Sequence, residues 1–276
     1  MQKPMLRWSL LLLLVLIGFA VLNYFAPLQP LSVLFDLCLV ALLAGLLSLI
    51  YPLRFLDIRS RKIASLVVLV ALVAGVCTLL WPAPLITPTS GQSLLNDYMP
   101  IYEVNEFHSE LVHASPQHVY SAMKETTFAE VKVFSVLMQI RRAAAGKFTR
   151  VRGADIPIFT LLSRPGSGFV QIAEDPEHEI VLGTAGRFWS TGAARSVQTR
   201  NDFLAFNEPG SAKSVFNIKL KDVGNGWTRV TTETRALGND PSARRKMAAY
   251  WRVIYPGSAT IRRMWLRAIK TRAEKS

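Results

Sequence analysis

Trp8–Ala26, Leu31–Leu53 and Ile63–Trp81 are almost unbroken apolar runs, and they constrain this chain more than any other feature. Each is close to the ~20 residues an α-helix needs to cross the hydrocarbon core of a bilayer. A helix satisfies its own backbone hydrogen bonds, so it is the form such runs take in lipid. The first run follows Lys3 and Arg7, as a secretory signal would. It lacks a small-x-small cleavage site and two more runs follow, so a retained anchor is expected. The reading is a membrane anchor over 1–82, a linker over 83–99 and a domain over 100–276.

Loop charge predicts the orientation. Lys3 and Arg7 precede the first run, and the loop after it, Pro27–Pro30, carries no charge. The next loop holds Arg54, Arg59, Arg61 and Lys62, and no Lys or Arg follows the third run until Lys124. Positive loops stay inside. The expectation is therefore a multi-pass protein of the cell membrane, with a cytoplasmic amino terminus and an extracytoplasmic carboxy-terminal domain. Asp36, the one acidic or basic residue within the runs, lies near the start of its helix, within reach of the head groups, with no basic residue in the runs to pair with. It does not make three helices a transporter.

Charge is unevenly divided. Residues 83–276 hold 26 Lys and Arg against 17 Asp and Glu, so they carry most of the net +13. Such a surface favours anionic partners. With a bilayer adjacent, lipid is the expected partner and nucleic acid is not. Cys38 and Cys77 both sit in the apolar runs, so the domain can build neither a disulfide framework nor a thiolate metal site.

Pro82–Met99 is rich in Pro, Ser and Thr and reads as an extended tether. Glu103–Ala114 alternates as a strand does. Ser115-Pro116 is an N-cap followed by a proline at the first helical position, and Phe128–Arg142 carries the stripe of a second helix. Four further strands are expected over Phe169–Glu174, Glu179–Phe188, Lys213–Lys221 and Trp227–Leu237, with hairpin turns at Asp175-Pro176 and Gly224-Asn225-Gly226. Asp240-Pro241 then opens a long helix. Met247, Trp251, Ile254, Ser258, Ile261, Trp265 and Ile269 recur along it at three- and four-residue steps. Arg245, Arg252, Arg263 and Lys270 fall opposite that stripe, Arg244 and Arg262 on its flank, and Pro256-Gly257 is expected to bend it.

The order is α+β: strand, two short helices, antiparallel meander, terminal helix. On ELVHASPQHVYSAM (Glu110–Met123), TRVTTETRAL (Thr228–Leu237) and YWRVIYPGSATIRRMWLRAIKTRAE (Tyr250–Glu274), the domain resembles the START-like or SRPBCC superfamily, which includes polyketide cyclases and birch-pollen-type allergens. The resemblance spans about Tyr102–Glu274. It implies a helix-grip domain, a curved antiparallel sheet around a long carboxy-terminal helix with a hydrophobic cavity between them. It transfers no catalytic residue.

No phosphate loop, dinucleotide fingerprint, Gly-x-Ser-x-Gly or His-Glu-x-x-His occurs, and no cofactor is expected. His108, His113 and His118 are five apart, which keeps them on no common face, so no metal site is expected either. His108, Glu110 and Val112 share a strand face. If it points inward, Glu110 beside His108 offers acid–base chemistry; the plainer reading is a solvated strand end. The expected cavity wall is Glu110, Val112, Phe216, Ile218, Val230, Thr232, Thr234, Trp251 and Ile254, with Trp251 and Trp265 also serving as core. Two functions fit: a membrane-tethered binding domain for a lipid or other hydrophobic small molecule, and a cyclase- or hydrolase-like enzyme using the same cavity. A third is assembly with envelope proteins and no ligand.

Overall fold

The computed structural model of the chain describes residues 30–53, 56–88, 93–131, 155–190 and 197–275. The expected span over 8–26 and most of the expected helix Phe128–Arg142 lie outside them. The described residues form two units. One holds the apolar helices up to Trp81 together with Arg252–Pro256; the other holds Pro82–Trp251 and Gly257–Ser276.

In the first unit, α1 (Pro30–Ile50) and α2 (Arg61–Leu80) pack together. These two helices, not three, are found long and apolar enough to cross a membrane among the described residues. Ser60 caps α2 by accepting from the Ile63 amide at 3.3 Å. Close packing depends on Gly45, where a Cβ would come within 2.8 Å of Val68. Ser48 and Thr78 return their hydroxyls to carbonyls one turn back, Ala44 and Ala74, both at 2.7 Å. No polar partner outside the helix is then needed. Val40, Leu43, Leu47, Leu66, Leu69 and Val70 face outward, an apolar surface that water does not favour.

This unit corrects one expectation. Arg252 does not point to solvent; it is 4% exposed and donates to the carbonyls of Leu79 and Trp81, each at 2.6 Å. The last carbonyls of a helix have no partner within it and carry negative partial charge, so a guanidinium is drawn to them.

In the second unit a five-stranded antiparallel sheet runs in the order β1-β5-β4-β3-β2. Its strands are β1 (Val104–Val112), β2 (Phe169–Asp175), β3 (Glu179–Gly186), β4 (Ala212–Gly224) and β5 (Trp227–Gly238). Gly224, Asn225 and Gly226 all take positive φ in the β4–β5 turn, which explains the two glycines. A long helix, α7 (Pro241–Ala273), follows, after α3 (Leu95–Tyr98), α4 (Pro116–Glu125), α5 (Ile158–Leu162) and α6 (Arg200–Ala205). Both expected N-caps form: Ser115 accepts from the His118 amide, Asp240 from those of Ser242 and Ala243.

Each face of the sheet has its own core. On the inner face Val112, Ile180, Leu182, Phe216, Ile218, Leu220 and Val230 pack with α4, α5 and the end of α7, through Trp265, Leu266 and Ile269. On the outer face Val181, Ala185 and Val215 pack with Leu95, Met99, Tyr102 and Phe203. Gly183 is flat for Phe203: a Cβ there would lie 2.8 Å from the ring.

The outer core shows where the domain begins. The segment expected as a tether is, from Ser93 onward, folded onto the sheet. Glu179, 4% exposed, accepts from Ser93 Oγ at 2.7 Å, the Leu94 amide at 3.1 Å and Asn217 at 2.6 Å. Arg235 reaches Asn96 at 2.8 Å and the Met99 carbonyl at 3.1 Å. Composition hid this, because four apolar side chains within a Pro- and Ser-rich stretch suffice to seat it.

Candidate functional site

Strand alternation carries polar side chains into the grip between sheet and α7. On β1, Val104, Glu106, His108 and Val112 are buried and the residues between them more exposed. Pairing sets Glu106 opposite Thr234, Thr234 opposite Phe216, and Phe216 opposite Leu182. The next row begins with His108 opposite Thr232.

Glu106 and His108 are the centre of a buried cluster, with side chains almost fully removed from solvent. His108 Nε2 lies 2.8 Å from Glu106 Oε1, and Ser258 of α7 donates to Glu106 Oε2 at 2.7 Å. Arg263 Nε donates to His108 Nδ1 at 3.4 Å. An imidazole accepting at Nδ1 carries its proton on Nε2, so it donates to Glu106. Arg262, one residue earlier, lies over the Phe216 ring, 3.8 Å from its centroid, and 5.6 Å from that of Trp265. Its guanidinium makes no hydrogen bond among the described residues. Desolvation lowers its pKa to about 10, with the charge of Glu106 opposing, so it remains a cation at neutral pH. The residue nonetheless keeps some accessible surface.

Among the described residues of the sheet and α7, Thr234 Oγ1, Trp265 Nε1 and Trp251 Nε1 are buried without a partner. Buried polar atoms are normally paired, and each exception needs a reason. Both oxygens of Glu106 and both nitrogens of His108 are engaged. Each Glu106 oxygen accepts one of these bonds and keeps a second lone pair. Beside the cluster, the unpaired donors are the Trp265 indole, the Thr234 hydroxyl and the Arg262 guanidinium. Such a set receives hydrogen-bond acceptors.

The expected cavity wall divides accordingly. Val112, Phe216, Ile218 and Val230 belong to the inner core. Thr232 spends its hydroxyl on the Asn217 carbonyl at 2.7 Å, while Thr234 stays unpaired. Trp251 is 6% exposed. Ile254 falls in the unit of the apolar helices. Glu110 is partly exposed on the same face, and the carboxylate beside His108 is Glu106. Sequence reasoning missed Glu106, Ser258, Arg262 and Arg263. The signal was present for Glu106: extending the His108–Glu110 alternation two residues back reaches it. Arg263 was assigned to the solvent side, but a long side chain bends around a helix further than its Cβ direction shows.

A concavity of about 600 Å³, open to solvent, is lined by Arg187, Trp189, Ser190, Gly210 and Lys246 near the start of α7. Arg187 is there 3.6 Å from Glu208, so part of its charge is already balanced. No group of three or more metal-ligating side chains occurs among the described residues. In comparisons with known proteins, the chain matches no family model and no curated protein.

Proposed function

We propose that this chain is a membrane-tethered binding domain for a lipid or other hydrophobic small molecule, held in the grip between the sheet and α7. The reading takes the domain as START-like and the apolar helices as bilayer spans, with the domain on the extracytoplasmic side. The antiparallel sheet and long terminal helix support the first point. The apolar, outward-facing surfaces of α1 and α2 support the second, and the charge of Arg54, Arg59, Arg61 and Lys62 the third.

One observation carries the binding reading: unpaired donors lie among aromatic and aliphatic side chains at the inner face. Apolar walls with a few convergent polar groups are the usual make-up of a small-molecule site. The enzymatic alternative draws on Glu106 and His108, whose bonds to each other, to Ser258 and to Arg263 also suit a structural role.

Photo-crosslinking tests the proposal. The full chain in lipid nanodiscs would be irradiated with a diazirine-bearing fatty-acid analogue and digested. Labelling of peptides from β4, β5 and the second half of α7 is the expected result. Labels confined to the apolar helices would refute binding in the domain.

A further inference from the structure

Two arginines, Arg262 and Arg263, reach the inner-face cluster from α7. Glu106 is the carboxylate at its centre, and His108 and Ser258 already donate to it. Arg263 reaches His108. Among the described residues, Arg262 lies over aromatic rings at the distances given above, makes no hydrogen bond and feels Glu106 through space. Its five N–H groups therefore have no acceptor among the described residues. Around it, the Trp265 indole N–H is unpaired, and so is the hydroxyl of Thr234, which sits between Glu106 and Phe216 across the strands. Arg262 is half-buried, so its guanidinium is held over the ring while its nitrogens stay accessible, and the group is well shaped for a planar or tetrahedral oxyanion, which it engages with two parallel hydrogen bonds. The contact with the Phe216 ring restrains the guanidinium before any ligand arrives, so less freedom is lost on binding.

We infer that Arg262, with Thr234 and Trp265, binds an oxyanion, a carboxylate or phosphate, as the polar end of the ligand whose apolar part lies against the inner core. The inference rests on the proposed binding function and narrows it from any hydrophobic molecule to an anionic amphiphile. Neutral esters and sterol-like alcohols fit the same walls but leave the guanidinium unpaired, and an unmatched buried polar group is what makes a site selective.

The test compares three probes on the full chain in nanodiscs: a diazirine fatty acid, its methyl ester at equal loading, and inorganic phosphate as competitor. The acid should label β4, β5 and α7 peptides about tenfold more than the ester, the difference of about one charge-assisted hydrogen bond. Arg262→Gln should bring the acid down to the level of the ester. Thr234→Val, which preserves shape and β-branching, should lower acid labelling and leave ester labelling unchanged. Arg262→Lys keeps the charge and should retain part of the preference, which separates loss of binding from loss of fold; matched melting temperatures of the variants add a second check. Suppression of labelling by millimolar phosphate would support the oxyanion site with a free ion as its source, while resistance to phosphate would support a lipid-borne head group. Equal labelling by acid and ester, unaltered in Arg262→Gln, would overturn the oxyanion site while leaving hydrophobic binding intact. Absence of any label in the domain would remove the binding function itself.

Discussion

Replacing Leu95 by alanine tests whether the segment after Ser93 belongs to the domain. Leu95 is completely buried, packed in the outer core with Val181, Val215 and Phe203. The change removes about three methylene equivalents of transfer free energy at ~0.8 kcal/mol each. The cavity left behind adds to this, and measured Leu→Ala costs run to about 2–5 kcal/mol. A domain of this size has about 5–15 kcal/mol in total. One substitution in an apparent linker should thus remove a large share of the stability. Leu85→Ala is the control, since Leu85 is 49% exposed and exposed sites change stability by about 0.5 kcal/mol or less. Thermal unfolding of the detergent-solubilised full chain, followed by near-ultraviolet circular dichroism, reads both. A truncation starting at Pro100 should fare worse still, because it also removes Ser93, Leu94 and Met99. Equal melting of Leu95→Ala and Leu85→Ala would refute the reasoning and restore the extended tether.

Other substitutions probe the remaining contacts. Gly183→Ala pushes a methyl into the Phe203 ring and should cost about 1–3 kcal/mol; a neutral result in the same melt would mean α6 does not sit on the sheet there. Arg252→Ala removes two charge-assisted bonds to Leu79 and Trp81 and should cost about 1.5–3 kcal/mol, against the small effect its place on the helical wheel implies; a melt unmoved by the change would return Arg252 to solvent. Glu106→Ala orphans the donors of His108 and Ser258, at about 1–3 kcal/mol each, so unchanged stability would dissolve the cluster. Glu130 gives a pH dependence. Desolvation pushes its carboxyl up, but hydrogen bonds from Arg272 and Thr127 prevail and hold it below its ordinary 4.5. Its contribution is therefore present above that value and lost as pH falls through the lowered one. Arg272→Gln should be less stable than the parent at neutral pH, with the gap closing in acid; a constant gap from pH 7 to pH 3 would contradict this.

Local rules made much of the domain legible. Capping chemistry found both helix starts, alternation found the five strands, and Gly-Asn-Gly found the β4–β5 turn. Each depends only on residues close in sequence. The misreadings share a different origin. A helical wheel grants a helix one inside and one outside, yet α7 meets different neighbours along its 33 residues. Arg252 found the free end of α2, Arg263 found His108, and Lys270 found the Leu111 carbonyl on the sheet edge. None of these partners is close in sequence. The site was half legible for the same reason. Alternation gave the inward face of β1, but which acid pairs with His108 depends on where Ser258 and Arg262 descend from α7, and only tertiary packing fixes that.

Native mass spectrometry of the full chain, released from nanodiscs made of its own host membrane, tests the binding claim most directly. A single tightly held adduct per chain, of amphiphile mass and with an acidic group in its fragment spectrum, is the predicted result. It should survive collisional removal of peripheral lipid and be lost in Arg262→Gln. A chain that emerges at its bare mass while other proteins from the same preparation keep their ligands would contradict the account.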